Sequence, residues 1–192
     1  MPAFRTLALC SLLVTSAWSA EPRILPDFEL VDLAGKKHNP AAAKDNRIVV
    51  YVYVSIDCPI ANFYQPTLRK LAQKFEKQGV RFYQIHSDPD LTPKAARKHT
   101  RDFDIVSPVI LDPTQKLARA YKAKVTPEVH AITRDGSCIY RGRIDDTYTA
   151  FGKRRPEPTT RDLDAALTAT LAGKTIEVPV TKAIGCQIFI ED

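Results

Sequence analysis

Residues 47–61, RIVVYVYVSIDCPIA, constrain the fold most strongly, because a long apolar run ends there at a cysteine followed by proline. Residues 49–54 are β-branched or aromatic without a polar break, which is typical of a strand covered on both faces. Pro59 is a favoured first residue of a helix. The segment therefore predicts a central strand, about 47–55, that turns into a helix at Cys58.

Strands and helices alternate through the rest of the chain. We predict helices over about 59–79, 93–103, 113–121 and 159–173. We predict further strands over about 80–86, 108–111, 128–133 and 138–144, and a short hairpin over 27–36. Parallel strand–helix–strand units that close with an antiparallel hairpin indicate an α/β fold, with a mixed central sheet and helices on both faces.

Capping signals place two of the helix starts. Asp112 is expected to cap the helix over 113–121, and Thr159 or Thr160 is expected to cap the last helix. Residues 145–158 contain proline and arginine and are expected to form an exposed loop. The two aspartates at its start, 145 and 146, are then solvated, with cation binding as the alternative.

Residues 1–20 have the features of a secretory signal: Arg5, an apolar run over 7–14, and small residues that allow cleavage after Ser19 or Ala20. The apolar run is shorter than the ~20 residues of a transmembrane helix, and no later stretch reaches that length. We therefore predict an exported protein, periplasmic or secreted, without membrane insertion after signal removal. The expected organisation is a signal peptide (1–20), one domain (21–174) and a C-terminal tail (175–192).

The distribution of charge along the chain argues against a nucleic-acid partner. The formal net charge is +6, of which Arg5 contributes one, and the remaining excess is spread along the chain apart from a denser patch at 153–155. Nucleic-acid binding favours a contiguous basic face with interleaved aromatic residues. We expect a solvated surface and no nucleic-acid partner.

Cysteine usage points to thiol chemistry. Cys10 falls within the predicted signal, so the exported chain keeps Cys58, Cys138 and Cys186. An odd number in an exported protein leaves at least one thiol that is reactive, metal-bound or paired with another molecule. Export favours disulfide chemistry over structural zinc. We expect Cys138 to be a bystander on its strand.

Cys58 is the candidate reactive thiol. A helix N-terminus carries unpaired N–H groups and partial positive charge, which favour the thiolate, the form that attacks sulfur or peroxide. The neighbouring Asp57 carboxylate opposes ionisation unless it points away. The alternative is a buried cysteine that acts as a small apolar residue.

Four stretches resemble the thioredoxin-like superfamily, and within it the redoxin family of alkyl hydroperoxide reductase and thiol-specific antioxidant (peroxiredoxin-like) proteins. They are FELVDLAGK at 28–36, SIDCP at 55–59, SPVILDPTQKLARAY at 107–121 and VTP at 125–127. The resemblance covers about 27–173. It implies a thioredoxin-like three-layer fold with an N-terminal β-hairpin extension, a thiol oxidoreductase activity without a cofactor, and a cis peptide bond before Pro127.

The sequence departs from the family pattern near the cysteine. Thioredoxins place a second cysteine at the position of Ala61, and peroxiredoxins place a proline at the position of Tyr51. Ser55 replaces the family's threonine and supplies its hydroxyl. The arginine that the family uses to stabilise the thiolate corresponds to Arg141 or Arg143, between which spacing does not choose.

The resemblance implies roles for the remaining site residues. Cys58 is expected to be the nucleophile, stabilised by Ser55 and an arginine. Thr126, Pro127 and Pro59 are expected to orient the substrate, with the Thr126 backbone open to an incoming strand. The substrate would be a protein thiol or disulfide, or a hydroperoxide, with an external thiol as electron donor.

Cys186 lies on the tail, where chain mobility could bring it over the active site. Functionally it would resolve oxidised Cys58 as a disulfide. Alternatively, the disulfide only ties down the tail. Both interpretations stay open at this point.

Two other function classes remain. Copper chaperones of this fold bind Cu(I) through two cysteines and a histidine. Because Asn62 replaces the second cysteine of their motif, the ligands here would be Cys58, Cys186 and His86. A binding module without catalytic activity is the other alternative. Of the remaining histidines, His130 is expected to be a hydrogen-bonded core residue, and those at 38 and 99 are expected at the surface.

Overall fold

A computed structural model describes residues 29–40 and 45–190. The predicted signal peptide and the first residues of the predicted hairpin lie outside these ranges. Within them, no helix combines the length and apolar character needed to cross a membrane.

The described chain contains eleven strands and five helices. The strands are β1 (Leu30–Val31), β2 (Lys37–His38), β3 (Ile48–Val54), β4 (Val80–His86), β5 (Val109–Leu111), β6 (Val125–Thr126), β7 (Glu128–Thr133), β8 (Cys138–Gly142), β9 (Tyr148–Ala150), β10 (Lys153–Arg154) and β11 (Cys186–Gln187). The helices are α1 (Pro59–Phe63), α2 (Gln65–Glu76), α3 (Pro93–Asp102), α4 (Lys116–Tyr121) and α5 (Asp162–Leu171).

A five-stranded mixed sheet forms the centre of the molecule, in the order β5-β4-β3-β7-β8. Strand β3 is parallel to β4, which is parallel to β5, and β3 is antiparallel to β7, which forms the predicted hairpin with β8. Strands β1 and β2 form the N-terminal hairpin. The predicted mixed α/β architecture is confirmed.

Each face of the sheet supports its own core. Alternate residues of β3 separate them: Val50, Val52 and Val54 face one core, and Tyr51 and Tyr53 face the other. The first core includes Cys58 and the apolar sides of α1, α2 and α5, and the second includes the apolar side of α4. All seven residues of β3 are buried, as its unbroken apolar sequence predicts.

The predicted helix over 59–79 is interrupted at Tyr64, which ends α1 and precedes α2. Pro66 lies in the first turn of α2. Its ring has no N–H donor and would collide with the carbonyl of Asn62 in a continuous helix. One helix therefore ends at Phe63 and a new one begins at Gln65.

Two predicted helix starts are wrong in position. Helix α4 begins at Lys116, although Asp112 does cap it by accepting the N–H groups of Leu117 and Ala118. Helix α5 begins at Asp162 without a side-chain cap. The two threonines before it instead donate their backbone N–H groups to Asp146.

The segment after β8 is exposed over 151–157, as its composition predicts, but the two aspartates at its start are not solvated. Asp145 and Asp146 are both buried. The Tyr64 hydroxyl donates to Asp145 at 2.6 Å, and Arg155 forms an ion pair with Asp146 at 3.2 Å. These partners compensate the burial of the two carboxylates, and strands β9 and β10 form a small hairpin beyond them.

The tail is held to the domain at two edges. Residues 179–181 run beside β8 through hydrogen bonds with the backbone of Arg141. Strand β11 then pairs antiparallel with β6, which places Cys186 opposite Thr126. Cys186 therefore reaches the active-site corner by strand pairing, without the chain movement expected from the sequence.

Candidate active site

Cys58 occupies the predicted corner between β3 and α1. It is the N-cap of α1, and its Sγ accepts the Ala61 N–H at 3.4 Å. Its own backbone N–H donates to the Ser55 carbonyl at 3.3 Å, which closes the turn. The residue is 0% exposed. Asp57 and Pro59 on either side are exposed.

The Thr126–Pro127 peptide bond is cis, as the resemblance implies. The Cys58 thiol donates to the Thr126 carbonyl oxygen, with an Sγ–O distance of 2.9 Å. The Thr126 hydroxyl is buried and has no hydrogen-bond partner among the described residues. The loop thus presents both an acceptor for the thiol and an unused donor for the thiolate.

Strand β11 covers this loop. Gly185 packs so closely on Thr126 that a Cβ at residue 185 would overlap the Thr126 carbonyl oxygen. Both Thr126 and Pro127 are buried. The expectation that the Thr126 backbone is open to an incoming strand is therefore wrong, because the tail of the same chain already pairs with it.

Cys186 and Cys58 are neighbours, because Cys186 pairs with Thr126 and the Thr126 carbonyl oxygen lies 2.9 Å from the Cys58 Sγ. None of the three described cysteines forms a disulfide. Burial opposes ionisation of Cys58, but the neighbouring Cys186 and Thr126 side chains and the Ala61 N–H outweigh it and lower the pKa of Cys58. Burial and the neighbouring Cys58 raise the pKa of Cys186 to about 12. Cys58 is therefore the more acidic thiol of the pair.

Ser55 contributes to the turn more than to the sulfur. Its Oγ accepts the N–H of Asp57 at 3.3 Å, and its carbonyl oxygen accepts that of Cys58. The side chain also lines the cavity beside Cys186. The hydrogen bonds that support the Cys58 thiolate come from other residues.

Neither predicted arginine supports the thiolate. Arg141 lies opposite His130 on the neighbouring strand, and opposed residues share a face of the sheet. That face carries the second core, where His130 packs against Tyr53, whereas Cys58 belongs to the first core. The Arg143 guanidinium forms a two-pronged ion pair with Asp162 at 2.9 and 3.2 Å. The predicted arginine contact to Cys58 is therefore wrong for both.

The copper ligand set is not assembled. Among the described residues, no group of three or more His, Cys, Asp or Glu side chains is placed to hold a metal ion. His86 is instead buried against His99, with ring centroids 5.4 Å apart. His99 is also buried and lies 2.8 Å from the Asn62 side chain, and His38 is buried beside Asp32, so the surface prediction is wrong for both. Further along, His130 contacts the Glu128 carboxylate as a core histidine.

A cavity of about 270 Å³ opens beside Cys186. It is lined by Val54, Ser55, Ser87, Asp88, Pro89, Thr126 and residues 186–189. Cys186 is partly exposed and Cys58 is fully buried, so only one of the two sulfur-bearing residues lines this cavity. The sequence indicates this arrangement only through Gly185, whose lack of a side chain allows β11 to approach.

Comparisons with known proteins identify the family of this chain. The model of the AhpC/TSA family matches residues 23–144. Thiol-disulfide oxidoreductase ResA of Bacillus cereus is 25% identical over 114 residues, which make up 59% of this chain and 64% of that protein. The chain thus spans slightly less than two thirds of this relative's length.

Solved structures confirm the thioredoxin-like fold. The crystal structure of a hypothetical protein from Sinorhizobium meliloti 1021 superimposes with a TM-score of 0.74 at 29% identity, and covers 85% of this chain and 90% of that chain. A secreted Mycobacterium tuberculosis disulfide oxidoreductase gives a TM-score of 0.52 at 16% identity, over 76% of this chain and 95% of that chain. The second likeness is a likeness of fold.

Proposed function

This chain belongs to the AhpC/TSA family, and we propose that it is an exported thiol–disulfide oxidoreductase whose redox pair is Cys58 and Cys186. The observation that carries the proposal is that both cysteines meet at the same loop: the Cys58 Sγ lies 2.9 Å from the Thr126 carbonyl oxygen, and Cys186 is the strand partner of Thr126. The oxidoreductase class agrees with the family and with the relative named thiol-disulfide oxidoreductase.

The proposed cycle alternates between the dithiol and a Cys58–Cys186 disulfide. Formation of the disulfide releases two electrons and two protons, which reduce a partner disulfide to two thiols. The reverse reaction oxidises two partner thiols. The Ala61 N–H and the nearby Thr126 side chain support the Cys58 thiolate and so favour the reduced protein. A stabilised reduced form makes a dithiol pair more oxidising.

Export fits this chemistry. Residues 1–20 carry the pattern of a secretory signal, and one structural relative is described as secreted. Disulfides persist in oxidising compartments outside the cytosol. A protein of this kind would exchange disulfides with protein thiols in the periplasm or outside the cell.

Peroxide reduction is less well supported by the site. Peroxiredoxin-like activity requires a cation near the sulfur, yet Arg143 is paired with Asp162 and Arg141 belongs to the opposite face. Tyr51, at the position of the family's proline, is buried in the second core. We therefore favour a sulfur substrate over a hydroperoxide.

Single-turnover reduction of a disulfide-bonded protein tests the proposal, with hydrogen peroxide as a parallel substrate. Cys58→Ser and Cys186→Ser should each lower the rate of disulfide reduction by at least about tenfold, because neither variant can close the internal disulfide. Cys138→Ser is the matched control, since residue 138 lies on β8 away from the pair, and should react as the wild type does. Wild-type rates in Cys58→Ser or Cys186→Ser would refute the proposal.

A further inference from the structure

The two sulfurs of the pair differ in access from outside. Cys58 is 0% exposed, whereas Cys186 is partly exposed and lines the cavity of about 270 Å³. We propose that Cys186 is the entry sulfur of the oxidised protein: an external thiol attacks there, through this cavity, and Cys58 acts as the internal partner. The inference rests on the proposed function and reverses the roles that the sequence suggests for the two residues.

The tail excludes the usual alternative, in which a substrate strand pairs with the loop that faces the cysteine. Strand β11 already makes this pairing, with Cys186 opposite Thr126 and Gln187 opposite Val125. The next residue continues the contact, because the Ile188 N–H donates to the Lys124 carbonyl at 2.9 Å. An exchange partner must therefore reach Cys186 without adding its backbone to this edge.

Cavity size and lining define the partner's chemistry. The space of about 270 Å³ lies just below the range of about 300–1,000 Å³ that is common for small-molecule sites. Its walls offer the Ser55 and Ser87 side chains, the Asp88 carboxylate and the Phe189 segment. The site thus fits a thiol on a small carrier, which is either a low-molecular-weight thiol or a cysteine side chain that projects from a flexible segment.

The reaction begins from the oxidised protein. An external thiolate attacks Sγ of Cys186 and forms a mixed disulfide with it. The Cys58–Cys186 bond breaks, and its electron pair stays on Cys58 as the thiolate. A second external thiolate then attacks the sulfur of the first external molecule, which releases Cys186 to take up a proton. Two thiols become one disulfide, and the protein gains two electrons.

Leaving-group chemistry favours the same direction of attack. Attack at Cys186 expels Cys58, which the Ala61 N–H stabilises, whereas attack at Cys58 would expel Cys186. The thiol that is more readily held as the thiolate leaves faster. The exposure of Cys186 and the stability of Cys58 as a leaving thiolate therefore both favour attack at Cys186.

The test maps the first mixed disulfide. Oxidised Cys138→Ser protein is mixed with glutathione, quenched in acid and digested, and the glutathione adduct is located by mass spectrometry. We expect the adduct on Cys186 to exceed that on Cys58 by at least about tenfold. Equal labelling, or an excess on Cys58, would overturn the inference. If no Cys58–Cys186 disulfide can be formed at the start, the proposed function fails instead.

A second arm tests the role of the tail and distinguishes the two thiol sources. Glutathione should reduce the wild-type disulfide at least about tenfold faster than a cysteine within an extended, β-branched peptide, because the tail occupies the pairing edge. Gly185→Ala should bring the glutathione and peptide rates closer together, because the added Cβ forces β11 away from Thr126. Gly152→Ala is the control, with a positive φ but open space around a Cβ. A peptide that reacts as fast as glutathione with wild type would contradict the blocked edge.

Discussion

Acid should destabilise this protein through His86, well above the pH at which carboxylates titrate. His86 ends β4 and is 1% exposed. Neither ring nitrogen has a hydrogen-bond partner among the described residues. Burial, together with the neighbouring His99, lowers the pKa of His86 to about 3. The native protein therefore holds this histidine neutral at pH values where an unfolded chain protonates it.

The sign and size of the effect follow from proton linkage. An unfolded histidine titrates near pKa ~6.5. Below that pH the unfolded state binds a proton that His86 in the native state does not bind, so the free energy of unfolding falls with falling pH. Each pH unit below ~6.5 costs about 1.4 kcal/mol, which gives about 2 kcal/mol by about pH 5. Burial also lowers the pKa of His99, opposed by Asp102 and Asp57, so its contribution has the same sign.

Urea unfolding followed by circular dichroism at about pH 7 and about pH 5 measures this loss for wild type and His86→Leu. The variant should lose about 2 kcal/mol less than wild type between the two conditions. It should be at least as stable as wild type at about pH 7, because leucine buries no unpaired nitrogen. An equal loss in both proteins would refute the buried neutral histidine.

Two further predictions concern the surroundings of the site. Tyr64→Phe removes the 2.6 Å hydrogen bond to buried Asp145 and should lower the free energy of unfolding by about 1–3 kcal/mol, measured by urea titration; an unchanged value would contradict the contact. Arg143→Ala breaks the ion pair with Asp162 and should lower the free energy of unfolding by about 1–3 kcal/mol. Arg141→Ala should leave the rate of Cys58 alkylation at wild-type level, and a slower rate would place Arg141 near the sulfur.

Local patterns in the sequence predict much of the fold. The apolar run of β3 predicts its burial, and the cysteine followed by Pro59 predicts the corner because both features act over a few residues. The cis bond before Pro127 came from the family resemblance rather than from composition. These features depend on backbone chemistry close to the residues themselves.

The rest of the site depends on contacts between distant segments. Strand β11 is two residues long and has no periodic pattern, yet its pairing with β6 decides where Cys186 lies. The face of Arg141 depends on strand register, and a shift of one residue would reverse it. His99 lies among charged residues of α3, which predict a surface position, but the packing of α3 buries it against His86. Such placements follow from tertiary packing alone.

The central claim is that Cys58 and Cys186 form a reversible redox pair. The direct measurement is a peptide map of the protein after equilibration in a thiol–disulfide buffer and rapid alkylation. The account predicts a peptide that joins Cys58 to Cys186 under oxidising conditions, with both residues alkylated under reducing conditions and Cys138 alkylated throughout. Alkylation of both Cys58 and Cys186 in the most oxidising buffer, or a disulfide that includes Cys138, would contradict it.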